Sequence, residues 1–262
     1  MEKIHPTAIV SSRAQLGSGV EIGPYVIIEG EVTLGDGTVV DHHATIYGET
    51  VIGPGCRIYP YAFVGTDPQD MKYQGGTDSR LEIGAGTRIR EYATVSRGTP
   101  GGGGVTVIGR QCFLMAYVHV AHDCRLGDGI IMANAATLGG HIDIGDRAII
   151  GGLTAIHQFC RVGRSAIVSG TAGVNQDVPP YCLAAGAPAR LYSLNLVGLK
   201  RQGYGEETIA ALKKAFRLLF RTDGLNLKDA IVKVREELPA LPEIEHLLEF
   251  IEQSSRGICR KP

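Results

Sequence analysis

Tryptophan is absent from this chain, proline supplies only 12 of 262 residues, and no cysteine pair stands at CxxC spacing. Scarce proline beside 44% hydrophobic residues and 36 glycines excludes a disordered composition. Cys56, Cys112, Cys124, Cys160, Cys182 and Cys259 fit neither a thiolate metal motif nor a disulfide framework. Several fall where small apolar residues recur, and there a free thiol packs as a small hydrophobe. No apolar run approaches the length of a membrane span, and no signal peptide precedes Ile4. A reduced, soluble, cytoplasmic protein is therefore expected. Large net charge is also missing: the total is −1, which gives no reason to expect nucleic acid as a partner. The charge is unevenly spread, however. From Arg190 onward thirteen Lys and Arg face ten Asp and Glu, so a mildly acidic body precedes a more basic tail suited to an anionic partner.

What is present is a period of six. Leu114, Val120, Leu126, Met132, Leu138, Ile144, Ile150, Ile156 and Val162 recur at that interval, and Ala121, Gly127, Ala133, Gly139, Gly145, Gly151 and Gly163 follow most of them. Six fits neither a helix nor a two-sided strand; repeated hexads are the sign of a parallel β-helix with three hexads per coil. The same frame runs from Ile4 through Val10, Leu16, Ile22 and onward to Val64. It resumes at Ile83-Gly84 and again at Ile108-Gly109, each time one residue out of step, so two excursions leave the coil. They span about 65–82 and 96–107. The first contains Gln69, Asp70, Lys72, Gly75 and Gly76, and the second contains Arg97 and the glycine run Gly101 to Gly104. Loops projecting from a solenoid are where such folds place binding residues.

Pro179-Pro180 reads as a stop to regular pairing. Past it the period becomes helical over Glu206 to Phe220, Leu225 to Leu238 with Asn226 as cap, and Pro242 to Ser255. The expected organisation is an all-β solenoid over 1–189 and an α-helical domain over 190–262, packed on the coil or on a neighbouring subunit.

Half of the eight histidines, His119, His122, His141 and His157, fall in hexads three apart, so they stack in one column at about 4.8 Å per coil. Asp123 follows His122 directly. A carboxylate acting on one ring nitrogen leaves the other as a base near neutral pH. Adjacent residues on a straight strand point oppositely, so that pairing requires a bend. Two other readings compete with a base. Three stacked imidazoles suit a catalytic zinc site, as in the hexapeptide-repeat class of carbonic anhydrase, but that leaves Asp123 and Lys72 without a task. A pure scaffold accounts for the repeat and leaves the column unexplained.

Taken with Ile4-His5-Pro6-Thr7-Ala8-Ile9-Val10, Gln69-Asp70-Met71-Lys72-Tyr73, His119-Val120-Ala121-His122-Asp123-Cys124, Gly151-Gly152-Leu153-Thr154-Ala155-Ile156-His157-Gln158-Phe159, Gln176-Asp177-Val178-Pro179-Pro180-Tyr181 and Asn195-Leu196-Val197-Gly198-Leu199-Lys200-Arg201, the whole chain resembles the UDP-N-acetylglucosamine acyltransferases of lipid A biosynthesis. The resemblance implies a left-handed parallel β-helix, against the usual right-handed crossover, and a homotrimer with sites between subunits. It implies transfer of a long 3-hydroxyacyl chain from acyl carrier protein to the sugar 3-hydroxyl, with no cofactor or metal. It further implies His122 as base, Asp123 as its orienting partner and Gly140 as oxyanion donor. Gln69, Asp70, Lys72, His119, His141, His157, Gln158, Asn195 and Arg201 become substrate contacts, and Gly170 a gauge of acyl length. Ser96, Tyr117 and Gln202 depart from residues common in the family.

Overall fold

A computed structural model describes residues 3–75 and 79–259. Each hexad folds into a strand of about two residues and a four-residue bend, and successive strands join three different sheets. Lys3–Ile4 pairs with Glu21–Ile22, Ile9–Val10 with Ile27–Glu29, and Gln15–Leu16 with Val32–Leu34, every time in parallel and eighteen residues apart. Three hexads thus close one coil. Among the described residues sheet A has 11 strands, from Lys3–Ile4 to Arg190–Leu194. Sheet B has nine, ending at Gly173–Val174, and sheet C eight, ending at Arg161–Val162.

A two-residue strand sends one side chain in and one out. The aliphatic frame points in, and Ile28, Ile46, Ile58, Val120 and Leu138 are at most 1% exposed. Small residues four positions on, such as Ala44, Cys124, Ala136 and Ala148, fill the bends from inside at 0% exposure. All six cysteines are free and buried, and Cys56, Cys112, Cys124 and Cys160 occupy such bend positions. Burial pushes the Cys124 thiol up to about 12, and its Sγ lies 3.2 Å from the Gly139 carbonyl of the next rung.

The corner between sheets A and B is built with side chains in the left-handed region. Tyr25, His43, Tyr61, Tyr92 and Tyr117 have φ of 58 to 62°. That strain is held by rung-to-rung hydrogen bonds, for example Tyr117 N–H to the Glu91 carbonyl at 3.0 Å. The five rings form a ladder with centroids 4.9 to 5.2 Å apart, and Tyr61, Tyr92 and Tyr117 lie within 6° of parallel in successive pairs.

Both excursions leave sheet B and re-enter at sheet C. They are shorter than expected because the flanking strands extend into them: Phe63–Thr66 and Arg80–Ile83 bound the first, Thr94–Ser96 and Val105–Ile108 the second. Gly76 lies outside the described residues. Pairing Ile52 with Ile83 and Ile83 with Ile108 restores the frame.

The two prolines do not end all pairing. Cys182–Ala185 still pairs in parallel with Ile167–Val168, and Arg190–Leu194 then turns back antiparallel to it, across the expected boundary at 190. Pro179 and Pro180 sit in a bend, where a missing N–H breaks no ladder. Among the described residues four helices follow: α1 (Leu196–Arg201), α2 (Glu206–Phe220), α3 (Leu227–Glu237) and α4 (Pro242–Glu252). The first was not foreseen, since six residues are too short to show a period. The last ends at Glu252 and not at Ser255. Asn226 caps α3 as expected, its Oδ1 accepting from Asp229 N–H at 3.0 Å. The cluster packs on the chain's own coil: Arg161 of sheet C donates to the Phe250 carbonyl of α4 at 2.8 Å and lies over that ring.

Candidate active site

The corner between sheets B and C gathers most of the residues singled out above. Bends 121–124, 139–142 and 157–160 stack here in consecutive coils, and their third residues, Asp123, His141 and Phe159, take φ of 60, 59 and 65°. His141 N–H donates to the His122 carbonyl at 3.0 Å, and Phe159 N–H to that of Gly140 at 3.2 Å. His141 stacks on Phe159 with centroids 4.7 Å apart and meets His122 edge-on at 5.1 Å.

The left-handed turn at Asp123 supplies the bend that the His122–Asp123 pairing needs. His122 Nδ1 lies 2.8 Å from Asp123 Oδ2. Asp123 is 6% exposed, and a carboxylate so buried must be fully partnered. Thr99 N–H donates to its Oδ1 at 2.9 Å and Thr99 Oγ1 to its Oδ2 at 2.7 Å, while its own N–H donates to Thr106 Oγ1 at 2.8 Å. With Nδ1 held by Asp123, His122 keeps Nε2 for chemistry. Gly140 is required by close approach, since an added Cβ would lie 2.6 Å from His122 Cε1. Among the described residues none accepts a hydrogen bond from Gly140 N–H.

His119 lies beside the corner on sheet B, its Nδ1 2.7 Å from Thr94 Oγ1 one rung away. Burial, and then the proximity of His122, lower its pKa. His157 is exposed, with Nδ1 3.1 Å from the Arg256 guanidinium of the tail. Gln158 beside it is exposed as well. Within one chain the described residues do not bring three histidines together as the rival metal reading expects. Among the described residues the one group of metal-ligating side chains close enough to share an ion is His122, Asp123 and His141; His119 and His157 lie outside it, their Nδ1 atoms at Thr94 and Arg256.

Both loops emerge at this corner. Gln69 and Lys72 are exposed, and Asp70 shapes the loop by accepting Lys72 N–H at 3.0 Å. Arg97 clamps it, donating to the Gly65 carbonyl at 3.0 Å and pairing with Asp67. Among the described residues no hydrogen bond or ion pair joins Lys72 to the histidines.

Three expected residues lie on other corners. Gly170 is at the bend from sheet A to sheet B. Asn195 is 6% exposed, with its amide committed to the Ser165 carbonyl and to Gly198 N–H at the bend from C to A. Arg201 ends the helix that Asn195 caps and is exposed. Within one chain none of them meets His122. The departures from family habit find local uses: Tyr117 extends the ring ladder and Gln202 binds Ser165 Oγ at 2.5 Å, whereas the buried Ser96 Oγ has no partner among the described residues. Thr99 and Arg256 escaped the sequence reading because they are 24 and 99 residues from the groups they touch. Phe159 stands eighteen residues after His141 and was findable from the coil period.

A coil of this kind, with a histidine–carboxylate pair on its corner, defines a hexapeptide-repeat transferase, and a family model described as bacterial transferase hexapeptide (six repeats) matches residues 31–66 and 106–140. A second, described as Udp N-acetylglucosamine O-acyltransferase, domain 2, matches 177–259. The acyl-[acyl-carrier-protein]–UDP-N-acetylglucosamine O-acyltransferase of Thermodesulfovibrio yellowstonii is 54% identical over 99% of this chain and 100% of its own length. Solved structures of the UDP-N-acetylglucosamine acyltransferases of Campylobacter jejuni and Bacteroides fragilis are 40% and 41% identical, with TM-scores of 0.93 and 0.95. They cover 99% and 98% of this chain, and 100% of each of theirs is matched. The chain belongs to the UDP-N-acetylglucosamine O-acyltransferase family.

Proposed function

We propose that the chain transfers a 3-hydroxyacyl group from acyl carrier protein to the 3-hydroxyl of UDP-N-acetylglucosamine, the first step of lipid A biosynthesis, with His122 as general base. The observation that carries the reading is the 2.8 Å contact of His122 Nδ1 with a buried, fully partnered Asp123. Nε2 takes the hydroxyl proton as the oxygen attacks the thioester carbon. The oxyanion of the tetrahedral intermediate faces the unpartnered Gly140 N–H. Collapse expels the carrier thiolate, and the proton held on His122 returns to it.

His119, His141, His157 and Gln158 line the acceptor's side of this corner; Gln69, Asp70 and Lys72 project from the loop across the boundary between protomers. Gly170 and Arg201 serve the same reaction from a neighbouring protomer of a homotrimer, and Asn195 does so by capping the helix that ends at Arg201. Their placement on other corners supports this, because a neighbour's surface can stand opposite His122 where the chain's own cannot. Acyl carrier protein is acidic and complements the basic tail. The reaction needs no cofactor and belongs in the cytoplasm; no described helix is long and apolar enough to cross a membrane.

The test is acyl transfer from 3-hydroxyacyl carrier protein to UDP-N-acetylglucosamine and to its 3-amino counterpart, with products weighed by mass spectrometry. O-acylated product is expected. Product with the 3-amino sugar alone would change the acceptor. No product with either, together with chelator-sensitive hydration of carbon dioxide, would hand the site to a metal.

A further inference from the structure

The second excursion has no task in the reaction as described, and its four glycines read alone as a mobile connector. Its contacts are more specific. Thr99 opens the 3-10 turn Pro100–Gly102, yet its side chain makes no capping bond there. Its N–H and hydroxyl instead reach both oxygens of Asp123, at 2.9 and 2.7 Å. Gly102 lies flat against the same carboxylate, and a Cβ at that position would collide with it. As the loop returns to sheet C, Thr106 Oγ1 accepts Asp123 N–H at 2.8 Å. The excursion therefore closes around one residue.

That closure settles a competition. Asp123 Oδ2 has two imidazoles within reach: His122 Nδ1 at 2.8 Å and His141 Nε2 at 3.7 Å. A carboxylate free to rotate about its χ2 would divide itself between them, since that torsion has a broad well. Two donors from one residue, one to each oxygen, fix its plane. We infer that Thr99 is a positioning residue for the transfer, holding Asp123 so that it serves His122 and not His141, and that the glycine run exists to let the loop lie against that carboxylate. The inference rests on His122 being the base.

Thr99→Val keeps the volume and the backbone donor and removes only the hydroxyl. In the full-length enzyme it lowers kcat about ten- to a hundredfold, the worth of a hydrogen bond to a charged group, with KM for both substrates within about twofold. Thr99→Ser restores most of the rate. Gly102→Ala, which keeps Thr99 but pushes the loop off Asp123, shows the same loss in kcat alone. In a His122→Ala background Thr99→Val changes nothing further, because the two act as one unit. An unchanged kcat in Thr99→Val overturns the inference, as does failure of Ser to rescue. An equal additional loss in the His122→Ala background overturns it too, by placing Thr99's effect elsewhere. Near-normal turnover of His122→Ala alone is a separate result and removes the base itself.

Discussion

Fifteen non-glycine residues hold a positive φ among those described, and at Asp123 that conformation turns a neighbour in sequence into a hydrogen-bond partner. The chemistry proposed for His122 depends on this one dihedral. His122→Ala should lower turnover by about two to four powers of ten, with circular dichroism and melting temperature unchanged, because the ring lies in the groove and not in the core. Turnover near normal would remove His122 from its role. Gly170 makes a second residue-level prediction. A Cβ there would meet only Gly152, its carbonyl oxygen at 3.1 Å, so Gly170→Met should be accommodated with a small local shift. Preference should then move to shorter acyl donors, by about 1–3 kcal/mol per excess methylene. An unchanged chain-length profile in a folded variant would leave Gly170 as a bend residue. The His122–Asp123 pair was legible because adjacency and the coil period place it. The grip of Thr99 was not, since nothing in a glycine-rich loop says which way it folds back.

The rung is the element that repeats, and its stability is that of one inward aliphatic packed between two others. Leu138 is 1% exposed and stacks between Val120 and Ile156 beneath the Gly139-Gly140 bend. Leu138→Ala should cost about 2–5 kcal/mol, read from urea unfolding at fixed protein concentration. A cost under about 1 kcal/mol would mean that the coil closes over the hole. Elements of this kind were the most legible feature, because the same six-residue signal recurs too often to be misread. Strand ends were less so: Thr66, Ser96 and Val105 continue pairing into stretches whose composition suggests loop. Helix α1 was invisible, being set by the Asn195 cap and the burial of Leu199 more than by any pattern of its own.

At the scale of the whole molecule, the proposed site residues occupy three corners of a prism that no single chain can fold onto itself. Native mass spectrometry should find three copies of the 27.9 kDa chain. Mixing inactive His122→Ala and inactive Lys72→Ala chains should restore part of the activity if the two residues meet across a boundary. Zero activity at every ratio, with mixing verified, would place each site within one chain. The sequence could indicate such an arrangement only through resemblance, since a period records how a chain stacks on itself and is silent about its neighbours.

The ring ladder on the A–B corner also gives the molecule an optical character. Without tryptophan, near-ultraviolet absorption and emission belong to ten tyrosines and six phenylalanines. Tyr61, Tyr92 and Tyr117 are stacked nearly parallel about 5 Å apart, close enough for their electronic transitions to couple. The share of the signal that comes from these three rings therefore depends on successive coils staying in register, whereas Tyr204, Phe216, Phe220 and Phe250 report on the helical end of the chain.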